Sequence, residues 1–171
     1  MIDRLVAVAA RQIGTREEGG NNCGNAIRAF QRATNLAPDD WPWCAAFVDW
    51  CVSKWLAEPG VAGWLGLQVS TPDQWRPKTA LAYGFLDWAK ARPKTVSIHP
   101  DTAQAHPGDI VVFDFSHVGI VEFDADDKLI TIEGNTNGRG DRDSATGDGV
   151  WRKTRPKSIA RNFIRIHPRG A

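Results

Sequence analysis

Along the first third of the chain, apolar positions recur every three and four residues. Ile2, Leu5, Val6, Ala9 and Ile13 predict a helix over residues 2–12, and Ala26, Ile27, Phe30 and Ala33 predict a second, short one. The connection GTREEGGNNCGN is rich in turn formers. A third helical stripe runs through Phe47, Val48, Cys51, Val52 and Trp55, begins near Cys44 and ends before Pro59-Gly60. Cys44 therefore occupies a helix N-terminal turn. From Ala57 to Gln104 scattered Pro, Gly and Trp break the pattern, and only the stretch from Ala80 to Ala91 reads as a helix.

The period changes after His106-Pro107-Gly108. DIVVFDF, HVGIVEF and KLITIEG are short, β-branched, apolar segments divided by turn residues, as antiparallel strands are, and GVWRKTR and RNFIRIH add two weaker strands. Helices first and strands afterwards predict an α+β fold, with N-terminal helices packed on a C-terminal antiparallel β-sheet. A length of 171 residues without internal repeats fits one domain.

Composition narrows the function classes. A formal net charge of +1 gives bulk electrostatics no hold on nucleic acid or a membrane surface, although the last quarter is locally basic. No stretch is long enough to span a bilayer. The apolar run Leu5 to Ala10, preceded by Asp3 and Arg4, is too short for a secretory leader, so synthesis is expected in the cytoplasm and action outside it would need another route.

Three cysteines, Cys23, Cys44 and Cys51, are too few for a disulfide framework. On one helix, seven residues of rise separate Cys44 from Cys51 by roughly 10 Å, beyond disulfide reach. A free thiol at Cys44 is expected. A cysteine attacks a carbonyl only as the thiolate, and unpaired N–H groups at a helix start favour that anion. A helix cysteine is otherwise a small buried core residue, a reading that suits Cys51 on the apolar stripe.

A base for Cys44 emerges from HVGIVEFDADDKLITIEGNT, because opposed residues of an antiparallel pair have a constant index sum. A turn centred on Ala125 sets His117 opposite Glu133, and one centred on Asp126 sets it opposite Asn135. Either way the partner shares a face with His117, about 4.5–5.5 Å away between Cβ atoms, and diagonal neighbours lie within reach of longer side chains. A carboxylate or amide oxygen there accepts from one imidazole nitrogen and turns the other toward a thiol.

His99, His106 and His167 each precede Pro and read as surface residues. The cysteines and histidines lack paired zinc spacing, and Asp124, Asp126 and Asp127 read as a solvated turn, so neither metal nor cofactor is expected. Arg152, Lys153, Arg155, Lys157, Arg161 and Arg165 form either a basic face for an acidic substrate or a solvated strand pair.

In order, WPWCAAFVDWC, PGDIVVFDF with HVGIVE, and ITIEGNTN cover about residues 38–137 and resemble the CHAP family, the cysteine, histidine-dependent amidohydrolases/peptidases related to NlpC-type cell-wall hydrolases and to papain. IGTREEGGNNCGNAIRAFQ and GDGVWRKTR also look like a CHAP subgroup found in phage lysins and bacterial wall hydrolases. The resemblance implies a papain-like α+β fold. It matches Cys44 to the nucleophile, His117 to the general base, Glu133 to the third polar residue and Asn135 to a further polar position. It also implies a peptidoglycan substrate, cut at the N-acetylmuramoyl-L-alanine amide or within the stem peptide or cross-bridge. Some members bind calcium near the nucleophile, where this chain has only Asp39 and Asp40 close by. Trp41 and Trp43 flank Cys44 and are expected either to wall a substrate groove or to pack the helix entrance. Two settings fit such an enzyme: a phage lysin, or a secreted antibacterial toxin with a cognate immunity protein as partner. A catalytically silent wall-binding module of the same fold is the alternative.

Overall fold

The structure, a computed structural model, describes residues 1–68, 72–139 and 147–170. Its helices are α1 (Asp3–Ala10), α2 (Asn25–Gln31), α3 (Cys44–Leu56), α4 (Val61–Trp64), α5 (Pro72–Trp75) and α6 (Gly84–Lys90). The strands are β1 (Val96–Pro100), β2 (Ile110–Phe113), β3 (Val118–Ala125), β4 (Lys128–Thr136), β5 (Gly149–Pro156) and β6 (Ala160–Ile166). All pair antiparallel in one sheet of order β1-β6-β2-β3-β4-β5. The fold is α+β, with α1 and α3 packed on the β3–β4 region.

The irregular middle hides more order than its residue pattern reveals. α4 and α5 are single turns of four residues, too short to show a helical period. β1 is an edge strand ending at Pro100. The helix expected from Ala80 starts only at Gly84, because residues 80–83 turn under the Thr79 side chain, which accepts the Leu81 N–H at 3.1 Å.

α3 is the buried spine. Phe47, Val48, Cys51, Val52 and Trp55 are fully buried, joined from the sheet by Val112, Val118, Ile120 and Ile132. A second apolar cluster gathers Val111, Phe113, Val121, Leu129 and Phe163. Alternate β2 residues thus feed two cores, so the sheet is apolar on both faces and not only under the helices. α3 approaches β4 closely at Gly134, where a Cβ would stand 2.5 Å from Phe47 Cβ and 2.7 Å from Trp43 Cζ3.

The β3–β4 register positions the site. Ala125 pairs with Lys128, so the tight turn is centred between Asp126 and Asp127, with Asp126 left-handed at φ 63°. Neither centre expected from the sequence holds at the loop. A bulge at Glu122 then restores the Asp126-centred pairing, Ile120 with Ile132 and Val121 with Thr131. Continued toward the strand ends, that register sets Gly119 across from Glu133 and directs His117 toward Asn135.

Candidate active site

Cys44 is the first residue of α3, and Trp43 O accepts the Phe47 N–H at 2.9 Å to open the helix. The preceding loop is pinned by Gln31, a fully buried residue that sequence reasoning passed over: its amide donates to Asp39 O at 2.6 Å and to Trp41 O at 3.1 Å. Arg28 ties down Asp40 at 2.5 Å. Cys44, largely buried, opens into a cleft of about 330 Å³ walled by Leu36, Trp41, Leu81, Phe115 and Ser116.

His117 is delivered by the β2–β3 hairpin. Its three-residue loop, Asp114 to Ser116, closes with the Phe113 N–H donating to His117 O at 2.9 Å, and Ser116 takes the left-handed position at φ 53°. Tyr83 braces the loop, donating its hydroxyl to Asp114 O at 3.0 Å and accepting the Ser116 N–H at 2.9 Å. The fully buried imidazole stacks on Phe115 at 5.6 Å and on Phe113 at 5.8 Å. Nε2 lies 2.8 Å from Glu133 Oε2. Nδ1 is buried with no hydrogen-bond partner, and Cys44 is among the groups that act on the ring's titration. Burial pushes the His117 pKa down, but Cys44 and Glu133 outweigh it and raise it to about 9.

Glu133 is fully buried and accepts from four donors: His117 Nε2, Thr131 Oγ1 at 2.5 Å, and Arg155 through Nε at 3.0 Å and Nη2 at 2.5 Å. Burial pushes its pKa up, and His117 with Arg155 overcomes that to bring it to about 2. An ionised carboxylate only accepts, so Nε2 carries the proton of this bond. Asn135 lies close by in chain, buried and left-handed at φ 53°, but does not bond the imidazole. The geometry thus brings Glu133, and not Asn135, to His117.

A comparison with protein-family models matches residues 36–135 to the CHAP domain, more than half of the chain. The chain belongs to the CHAP family. CHAP domains are in general cysteine- and histidine-dependent hydrolases, amidases or peptidases, of peptidoglycan. The matched span holds Cys44, His117 and Glu133 and ends on Asn135. No curated protein and no solved structure matches the chain.

Two expectations about this CHAP site are corrected. Trp43 does not wall the groove: it is fully buried, stacks on Phe30 at 5.6 Å and donates its indole N–H to Glu17 at 2.8 Å. Trp41 alone of the pair reaches the cleft. Arg155 belongs to no basic face, and four of the five basic residues grouped with it are engaged in ion pairs or hydrogen bonds, while exposed Arg161 lies over the Tyr83 ring at 5.0 Å. Arg152 pairs with Glu122, Lys157 with Asp124 and Arg165 with Asp109, while buried Lys153 donates to Asn137 O at 2.7 Å. What hid Arg155 was its setting in the run GVWRKTR, where alternation alone does not tell a buried cation from exposed ones.

The other thiols are placed differently. Cys51 is fully buried, and desolvation drives its pKa well up. Cys23 donates to Asp40 Oδ1 at 3.0 Å, and that bond raises its pKa. His99 and His167 are half-buried and His106 is exposed, all outside the cleft lining. Asp124 is occupied by Lys157 and the Ala105 N–H. Among the described residues no group of three or more His, Cys, Asp or Glu could hold a metal ion.

Proposed function

We propose that this CHAP chain hydrolyses an amide bond of peptidoglycan with Cys44 as nucleophile, His117 as its base and Glu133 as the residue that orients the base. The observation carrying this reading is the buried line from Glu133 to His117 Nε2, with the unpartnered Nδ1 on the ring beside a cysteine that opens a cleft.

In this mechanism Nε2 keeps its proton and donates it in a hydrogen bond to Glu133, leaving the Nδ1 lone pair to take the Cys44 Sγ proton. With a pKa of about 9, His117 holds that proton near neutral pH. The thiolate adds to the substrate carbonyl. The backbone N–H of Cys44, first in α3 and without an intrahelical acceptor, serves the oxyanion. The C–N bond then breaks as Nδ1–H protonates the leaving amine. Water attacks the thioester, giving a proton back through Nδ1, and the acid leaves with the thiol restored.

The setting we propose is the bacterial wall, reached after release or secretion. The test is incubation of purified sacculi with wild type, Cys44→Ala and His117→Ala, with mass spectrometry of the released muropeptides. Wild type should release products whose masses name the bond, and neither variant should release any. Hydrolysis retained by Cys44→Ala overturns the assignment, and wall binding by wild type without products marks a silent binding module.

A further inference from the structure

We infer that Arg155 is a positioning residue for the reaction: its guanidinium fork fixes the Glu133 carboxylate and, through it, the tautomer and direction of the His117 imidazole. This rests on the catalytic reading above and extends it beyond the family motif, since Arg155 lies outside the matched span.

Arg155 sits on β5, pairs with Leu129 of β4 and is fully buried. Its Nε reaches Glu133 Oε1 at 3.0 Å, and its Nη2 reaches Oε2 at 2.5 Å and Thr136 Oγ1 at 3.3 Å. Thr131 Oγ1 supplies a second donor to Oε1, and His117 Nε2 a second to Oε2. Each carboxylate oxygen has about two lone pairs, so both are saturated and the carboxylate has one orientation. The lone pair left on Oε2 is the one the imidazole uses. The guanidinium also stands 5.6 Å from the rings of Phe113 and Phe115, the same two rings on which His117 stacks. Cation and imidazole are therefore located by shared packing as well as by a shared carboxylate.

The charge matters as much as the fork. A buried carboxyl facing only a neutral imidazole is driven to take up a proton. A protonated Glu133 would donate to Nε2 and force the ring proton onto Nδ1, the tautomer that cannot accept from Cys44. His117 and Arg155 together hold Glu133 ionised, and Arg155 is the partner whose charge does not depend on the ring's proton, so it prevents that exchange.

Arg155→Lys keeps the buried charge and removes the fork, and Arg155→Met removes both. Thermal melts by circular dichroism identify which variants fold, and kcat and KM on soluble muropeptides are followed from pH 5 to 10. Arg155→Lys should keep KM within about twofold and lose at least about tenfold in kcat. Arg155→Met should lose about 10²- to 10⁴-fold near neutral pH, the scale of a wrong tautomer, and recover partly as rising pH ionises Glu133. Nitrogen-15 NMR of His117 reads the same event without turnover: the neutral ring should be protonated on Nε2 in wild type and on Nδ1 in Arg155→Met. A wild type that does not cut peptidoglycan would sink the catalytic reading alone, because the NMR comparison still decides the role of Arg155. Wild-type kcat and pH profile in Arg155→Lys, an equal loss at every pH in folded Arg155→Met, or an unchanged tautomer overturns the inference. If Arg155→Met does not fold, Arg155→Lys decides.

Discussion

Gly119 on β3 stands opposite Glu133 on β4, and the side chain it lacks is the space through which Glu133 reaches diagonally to His117. A Cβ at Gly119 would lie 2.6 Å from Glu133 Cγ, while Glu133 Oε2 is 2.8 Å from His117 Nε2. Gly119→Ala should push the carboxylate off the imidazole. We expect an overpacking cost of about 1–3 kcal/mol in urea melts. kcat/KM on muropeptides should fall about 10²-fold, the scale of a misplacement near 1 Å. Unchanged kcat/KM would show that Glu133 needs no cleared path.

The bulge at Glu122 sets which residues of β3 face Glu133. Deleting Glu122 would remove the extra residue and make the Val121–Thr131 and Phe123–Ile130 pairs consecutive, so Val118 and Ile120 would stay in the helix-side core and His117 on its face. The deletion variant should therefore keep a cooperative melt, because the register on both sides of the bulge is retained. Glu122→Ala keeps the extra residue and loses only its exposed pairing with Arg152, so its stability should stay within about 1 kcal/mol of wild type. Loss of cooperative melting in the deletion variant would contradict this reading of the register.

Stability should depend on pH in opposite senses at the two ends of the buried pair. Glu133 folds with its pKa lowered from 4.5 to about 2, so its contribution is complete above 4.5 and lost as pH falls toward 2. His117 folds with its pKa raised from 6.5 to about 9, so its contribution is complete below 6.5 and lost as pH rises through 9. Urea midpoints should therefore plateau between pH 4.5 and 6.5 and decline on both sides. In His117→Ala the decline between pH 6.5 and 9 should shrink. An identical alkaline decline in that variant would assign it to other groups.

Asp49, fully buried on α3, is held by Arg76, whose Nη1 is 3.0 Å from Oδ1 and also donates to Ala33 O. Burial raises the Asp49 pKa to about 7 against the pull of Arg76. Arg76 thereby anchors the chain just before Ala80, Leu81 and Ala82, one wall of the cleft. Arg76→Met strands a buried carboxyl and should cost about 3–5 kcal/mol, whereas Asp49→Leu with Arg76→Met should recover most of it. A denaturation double-mutant cycle measures this, and additive costs would deny the coupling.

Much of this protein was legible without coordinates where the signal is local. The helical stripe from Phe47 to Trp55, the helix start at Cys44 and the five later strands follow from side-chain periodicity, which burial on one face imposes directly on residue order. The shared face of His117 with Glu133 followed from the parity of a hairpin. The short α4 and α5 and the edge strand β1 were hidden because one turn or one strand carries too few repeats of its period.

Contacts between elements distant in sequence needed the tertiary structure. By itself the chain determined that a cysteine opens a helix and that a histidine and two polar residues gather at one end of a hairpin. Packing decided the rest. The Glu122 bulge chose the register, the gap at Gly119 chose Glu133 over Asn135, and the buried Glu133 carboxylate drew Arg155 from a basic run into an ion pair against the cost of desolvation. Trp43 went to the core because Phe30 and Glu17, from other elements, satisfy its ring and its N–H. These choices depend on which distant groups share volume and charge, a property of the folded contacts that local residue order does not encode.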